Sequence, residues 1–218
     1  MDNHYFYLKN LLFLSEFIAA GVAILTYKRF KNTHWKWFNF YLVFIFLAEL
    51  TSKALLSDAQ HFNKYYYDFF VIPIEFIFLY WLYSYKSLGN RKLFWISCIL
   101  YLLSLLPYFV FEGQNIINSF NYIVGAFLLS IMIILEYNKQ MKTDDILRFK
   151  ENIMFYINTG VGFFYVGTLP FFSFSSLLWK NKVIWHNYYI LFMITNILMY
   201  ALFSIALLWG KPNTYSSR

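Results

Sequence analysis

Seven apolar runs, each long enough to cross a bilayer as a helix, set the strongest limit on what this chain of 218 residues can fold into. They lie at about 5–27, 37–56, 66–85, 93–111, 116–137, 153–179 and 184–209. A hydrocarbon core of about 30 Å takes about 20 mostly apolar residues per helix. Within it every backbone polar group must be satisfied internally, which leaves helices or a closed barrel. Barrel strands alternate polar and apolar over about 10 residues, and none of these runs does. The expected fold is all-α: a polytopic membrane protein with seven transmembrane helices in one domain, 1–218. The first run is read as a retained helix and not a signal peptide. It is long, Glu16 interrupts it, and no small-x-small site follows a short apolar core.

Composition agrees. Hydrophobic residues make up 60% and charged residues only 13%, against about 25% charged in soluble domains. That excludes a water-soluble enzyme and a disordered chain. The formal charge of +7 is carried by short clusters between apolar runs, a pattern that sets topology, so no nucleic-acid partner is expected. The bilayer is the expected partner. The lone Cys98 sits in an apolar run; it forms no intrachain disulfide and reads as a small core residue.

The positive-inside rule gives the orientation. Of 18 Lys and Arg residues, 13 fall after the first, third and fifth runs and in the tail. The N-terminus is therefore expected outside and the C-terminus in the cytoplasm. Trp35, Trp37, Trp81, Trp95 and Trp209 then fall near the inner interface, and Trp179 and Trp185 near the outer one, where indoles are enriched. No three-plus-three internal repeat is visible, and no appended soluble domain is expected.

The ionisable residues inside the runs carry most of the functional information, since each costs about 2.5–3.5 kcal/mol at the helix centre. Glu16 in LLFLSEFIAAG, Glu49 in VFIFLAELTSKALL and Glu75 in VIPIEFIFLYW are the main ones. At about 1.5 Å per residue they lie about 16, 11 and 14 Å from the outer ends of their helices. That puts them in one slab just outside the midplane. If they face one cavity, mutual repulsion implies that at least one holds a proton. Such a site suits a proton, a metal or sodium ion, or an amine. The structural alternative is an ion pair of Glu49 with Lys53 at i, i+4, with Glu16 and Glu75 hydrogen-bonded to neighbouring helices.

Other polar residues are candidates for the same cavity or for interhelical bonds: Asn118 and Asn121 in the fifth run, Asn158 and Thr159 in the sixth, Thr195 and Asn196 in the seventh. Tyr65, Tyr66, Tyr67 and Asp68 are expected at the outer mouth of helix three. His186, Tyr188 and Tyr189 are expected at that of helix seven, as a lid or as an aromatic belt. The sixth run, near 40 Å if straight, contains Gly160, Gly162, Gly167 and Pro170. Proline and small residues there suggest a kink, with Gly167 and Pro170 as a hinge or as a static bend. Pro73 lies two residues before Glu75.

Several chemistries lack their residues. His4, His34, His61 and His186 form neither HxxxH nor HExxH, so intramembrane zinc hydrolysis has no ligand set. There is no GxSxG elbow, no Gly-rich phosphate loop, and no lysine mid-helix in the seventh run to carry retinal. No cofactor is expected.

With its size, its seven spans and its acids in early helices, notably IPIEFIFLYW around Glu75, the chain resembles small seven-helix bacterial membrane proteins of unknown function. In outline it is similar to the membrane portions of seven-helix bacterial sensors. The resemblance implies a bacterial inner-membrane protein, with any output passing through a protein partner at the basic inner loops. The leading expectation is a sensor-like binding module with an outward-facing acidic pocket for a proton, cation or amine-bearing ligand. A proton- or cation-coupled transporter and a lipid-modifying enzyme using Glu49 or Glu75 with Asp68 are the alternatives.

Overall fold

Turn chemistry separates the apolar runs into helices. Asn90, Asn152 and Asn181 each take an extended backbone and cap the next helix, their Oδ1 atoms accepting from Leu93, Phe155 and Val183 N–H at 3.0, 3.3 and 3.1 Å. Such caps satisfy amides that a helix start leaves unpaired. Gly89 precedes Asn90 at φ +67°, a conformation that a Cβ opposes, so one helix ends and the next begins within a few residues.

A computed structural model describes residues 2–55, 59–107, 120–143, 149–174 and 181–211. Among them the fold is all-α. The helices are α1 (Asp2–Phe30), α2 (Lys36–Leu55), α3 (60–87), α4 (Arg91–Leu103), α5 (Phe120–Lys142), α6 (153–173) and α7 (Lys182–Trp209). α3 widens into π turns at Tyr67–Val71 and Trp81–Ser87, and α6 does so at Gly162–Val166.

Five helical stretches are long and apolar enough to cross a membrane: Phe6–Phe30, Lys36–Leu55, Phe62–Ser87, Phe120–Lys142 and Lys182–Trp209. α4 and α6 are not in this group. The α-helical turns of α4 end at Leu103, and α6 is diluted by Asn158, Thr159, Thr168 and three glycines. α3 starts six residues before the expected 66, and α6 ends at Ser173. Parts of the fourth, fifth and sixth expected runs, with Asn118 and Trp179, lie outside the described residues.

The distribution of side chains is that of a bundle in lipid. Leu25 is 82% exposed and Ile134 60%, while Asn158 and Ser84 are fully buried. α1 packs against α2 and α7, α7 against α6, and α5 against α3, α4 and α6. α2 meets α3 through aromatic rings, Tyr41 stacking on Phe78 at 4.3 Å. Phe76 of α3 is the hub of the α3–α6 half, its ring 5.2–5.6 Å from those of Tyr101, Tyr122 and Tyr165. Gly125 of α5 permits this, because a Cβ there would lie 2.7 Å from the Phe76 ring.

The basic connections share one end of the bundle. Arg29 donates to the carbonyls of Leu208 and Gly210 at 3.0 and 2.5 Å, Lys211 pairs with Glu151, and Lys139 donates to Ser87 O at 2.6 Å.

Candidate functional site

Glu16, Glu49 and Glu75 come from three different helices; Glu16 is buried, and Glu49 and Glu75 are half-buried. Glu16 is 3% exposed. Its Oε2 is buried with no hydrogen-bond partner, and it lies within electrostatic range of both Glu49 and Glu75. Glu49 accepts from the Tyr67 hydroxyl at 2.7 Å. Glu75 accepts from the Tyr41 hydroxyl at 2.9 Å, and the Tyr165 hydroxyl lies against the same carboxyl. Tyr200 of α7, 4% exposed, is within electrostatic range of all three acids. Helices α1, α2, α3, α6 and α7 therefore each place a polar group in one interior region.

The helical repeat explains how. Glu75 and Phe78, three apart, share a face of α3 that meets Tyr41 of α2, whose hydroxyl bonds the one and whose ring stacks on the other. Tyr67 is eight residues before Glu75, and the π turn at Tyr67–Val71 lies between them. Such a turn adds a residue to the helical register, and Tyr67 turns to Glu49.

Lys53 does not make the ion pair with Glu49 that the i, i+4 spacing suggests, although its charge lies within electrostatic range of Glu16. It is exposed, and its Nζ lies 3.7 Å from the centroid of the Phe13 ring. Among the described residues the ion pairs within 4.0 Å are Lys139–Glu136 and Lys211–Glu151. The cation–π contact holds the ammonium at the bundle surface, which draws it away from Glu49. Among the described residues no group of three or more His, Cys, Asp or Glu is placed to hold a metal ion.

A second polar group continues from Glu75. Tyr101 of α4 lies between Glu75 and Asp68 electrostatically and beside Asn121. The hydroxyls of Tyr101 and Tyr122 and the Oδ2 of Asp68 are buried without hydrogen-bond partners. Asp68, expected at the outer mouth, thus turns one oxygen inward. Asn121 is 6% exposed. Asn196 sits one turn from Tyr200 on α7 and buries an unpartnered Oδ1.

The remaining candidates lie further out. Tyr66 is partly exposed, its ring 5.7 Å from Tyr67 and 5.6 Å from Phe70. Tyr189 stacks with Phe192 at 6.2 Å, and His186 is partly exposed on the first turns of α7. Gly167 and Pro170 are both exposed on α6, on the side away from the acids. Pro170 cannot donate to the carbonyl of Val166, the last residue of the π turn, so the widened turn and the proline form one irregular segment. Asn158 and Thr159 bond between and within helices, Asn158 Nδ2 donating to Ile133 O at 3.3 Å and Thr159 sharing 3.2 Å with the Tyr137 hydroxyl.

Sequence reasoning passes over Glu136 and Gln140, each 1% exposed. Glu136 accepts from Ser87 Oγ at 2.6 Å and from Gln140 Nε2 at 2.9 Å. A carboxylate followed by Lys139 and Gln140 at i+3 and i+4 is a legible polar helix face. It sits where an apolar run gives way to a basic loop, and there it reads as solvated. No protein family, curated protein or solved structure matches this chain.

Proposed function

We propose that this protein is a sensor-like binding module of the bacterial inner membrane. In this reading seven helices span the bilayer, with the N-terminus outside and the C-terminus in the cytoplasm. The occupant of the acidic interior is a proton or an amine-bearing ligand, and it acts by changing how α6 and α7 pack beside Glu16, Glu49 and Glu75. The observation that carries this reading is the Glu16 carboxyl: buried, with one oxygen that has no partner among the described residues, two further carboxyls in range, and Lys53 acting on it only from beyond ion-pair distance. A buried charge without compensation is strongly unfavourable, so the arrangement calls for a positive partner. Among the described residues these carboxyls form no metal-ligating group, which suits an organic ammonium or a proton better than a bare metal ion. Output would pass to a protein partner at the end bearing the basic connections.

The test is infrared difference spectroscopy of the reconstituted protein, titrated with acid and separately with methylammonium. Carboxyl bands that respond to either and vanish in Glu16→Gln support the reading. Bands unchanged by both in the wild type would sink it. Methylammonium flux across liposomes would replace binding with coupled transport, and a C-terminal reporter active only on the outer face would reverse the orientation.

A further inference from the structure

On the surface between α2 and α3 lies a groove of about 470 Å³, the size of small-ligand sites. Its walls are apolar and mostly aromatic: Trp37, Phe40, Tyr41 and Phe44 from α2, facing Ile74, Phe78 and Trp81 from α3. These positions repeat at three to four residues on each helix, so the groove follows both axes for about 10 Å. It starts at the end of the bundle that carries the basic connections and runs toward mid-helix. Its wall includes Tyr41, the residue that holds Glu75.

The mouth is basic. Lys36 Nζ lies 5.5 Å from the Trp37 ring, and Lys86 Nζ lies 5.4 Å from the Trp81 ring. Positions five apart in an α-helix point to different faces. Here the π turn at Trp81–Ser87, with its i→i+5 bonding, brings Lys86 back over Trp81. Among the described residues neither lysine is in an ion pair; the pairs there involve Lys139 and Lys211. Two ammonium groups are thus held over the two indoles that open an apolar slot.

We propose that this groove is a binding site for one anionic phospholipid from the adjoining leaflet. Lys36 and Lys86 take the headgroup phosphate, Trp37 and Trp81 flank the glycerol region, and one acyl chain lies along Phe40, Phe44, Ile74 and Phe78. The charge selects the lipid class, because basic pockets between membrane helices favour acidic headgroups. A zwitterionic lipid would set its own ammonium beside the two lysines. A soluble anion would leave the apolar slot unused. The site stands independently of the acidic interior.

The test uses the full-length protein, delipidated in detergent and titrated with equal amounts of dioleoyl phosphatidylglycerol and dioleoyl phosphatidylcholine, with bound lipid read by native mass spectrometry. One phosphatidylglycerol should be retained in preference. Lys86→Gln should reduce that preference about fivefold and Lys36→Gln with Lys86→Gln roughly thirtyfold, from the attraction expected per lysine. Lys9→Gln with Lys182→Gln, which removes the same charge from exposed positions elsewhere, should leave it unchanged. Chain placement is read separately by fluorescence. Phosphatidylglycerol with brominated chains should quench the wild type by a larger fraction than Trp37→Phe with Trp81→Phe. Equal retention of the two lipids overturns the proposal. So does a preference unchanged in the Lys36/Lys86 variant, or an equal quenched fraction with and without the two tryptophans.

Discussion

The hydroxyl of Tyr41 on α2 donates to a carboxyl oxygen of Glu75 on α3 at 2.9 Å, while the face of its ring stacks on Phe78 at 4.3 Å. One side chain thus joins the lipid-facing groove to the acidic interior. With Tyr67 donating to Glu49 at 2.7 Å and Ser52 to Asn63 at 2.9 Å, this bond is one of the polar ties between α2 and α3. A double-mutant cycle of Tyr41→Phe and Glu75→Gln in SDS unfolding should give a coupling of about 0.6–1.7 kcal/mol, the span measured for interhelical bonds in membranes. A coupling near zero would mean that Glu75 finds an equal partner in Tyr165 when Tyr41 is removed.

Glu16 should trade stability for function. Its buried Oε2 has no partner and two acids lie nearby, so Glu16→Gln removes a poorly compensated group at nearly constant volume. The variant is expected to resist SDS unfolding at least as well as the wild type without added ligand. It should also lose any stabilisation that methylammonium gives the wild type. A variant much less stable in both conditions would show Glu16 to be a structural tie and not a binding group.

Gly125→Ala should be costly where most glycine-to-alanine changes in helices are mild. The new Cβ would meet the Phe76 ring at 2.7 Å. That ring is fully buried and flanked by Tyr80, Tyr101, Tyr122 and Tyr165, so it has nowhere to turn. A loss of about 1–3 kcal/mol is expected, as for other overpacked cores. Phe76→Leu in the same chain should recover part of it. Gly167→Ala, with no atom within 4 Å of the new Cβ, is the control and should change little.

His34 makes stability depend on pH from outside the membrane-spanning helices. Burial, then the charges of Lys86 and Lys139, push its pKa down from 6.5 to about 4. The unfolded chain therefore takes up the proton before the folded one does. Stability should be level above about pH 7, fall as pH drops from 6.5 toward 4, and level again below that. His34→Gln should flatten that window, compared with wild type by thermal unfolding across pH. An unchanged slope in His34→Gln would assign the window to other groups.

Much of this was legible in the residues. Helix existence followed from run length, and so did the three acids' lying within helices and not in loops. Which way each acid pointed was not legible, because the apolar periodicity of a helix is weak when lipid and core are both apolar. The π turns were not legible either, and they matter: the turn at Tyr67–Val71 lies where Tyr67 meets Glu49, and that at Trp81–Ser87 brings Lys86 over Trp81. The spacing of Glu49 and Lys53 allowed an ion pair. The ring of Phe13 on another helix decided otherwise, and no local pattern contains that partner.

Glu136 tests whether the polar group at the basic end is structural. Its two oxygens are taken by Ser87 and Gln140. Lys139 Nζ stands 4.0 Å away and itself donates to Ser87 Oγ at 2.9 Å. The group joins the end of α3 to the end of α5, and both Glu136 oxygens are bonded within it, whereas Gln140 Oε1 is buried without a partner among the described residues. Glu136→Ala leaves Ser87 and Gln140 without their acceptor, and should cost about 1–3 kcal/mol in SDS unfolding. Glu136→Gln keeps an acceptor for Ser87 and should cost less. Neither change should alter the response of the carboxyl bands to methylammonium, since Glu136 is not among the charges that Glu16 or Glu75 feels. If Glu136→Gln abolishes that response while the protein stays folded, the acidic interior extends to this end of the bundle. The chain would then look like a path with two ends, and coupled transport would become the better reading.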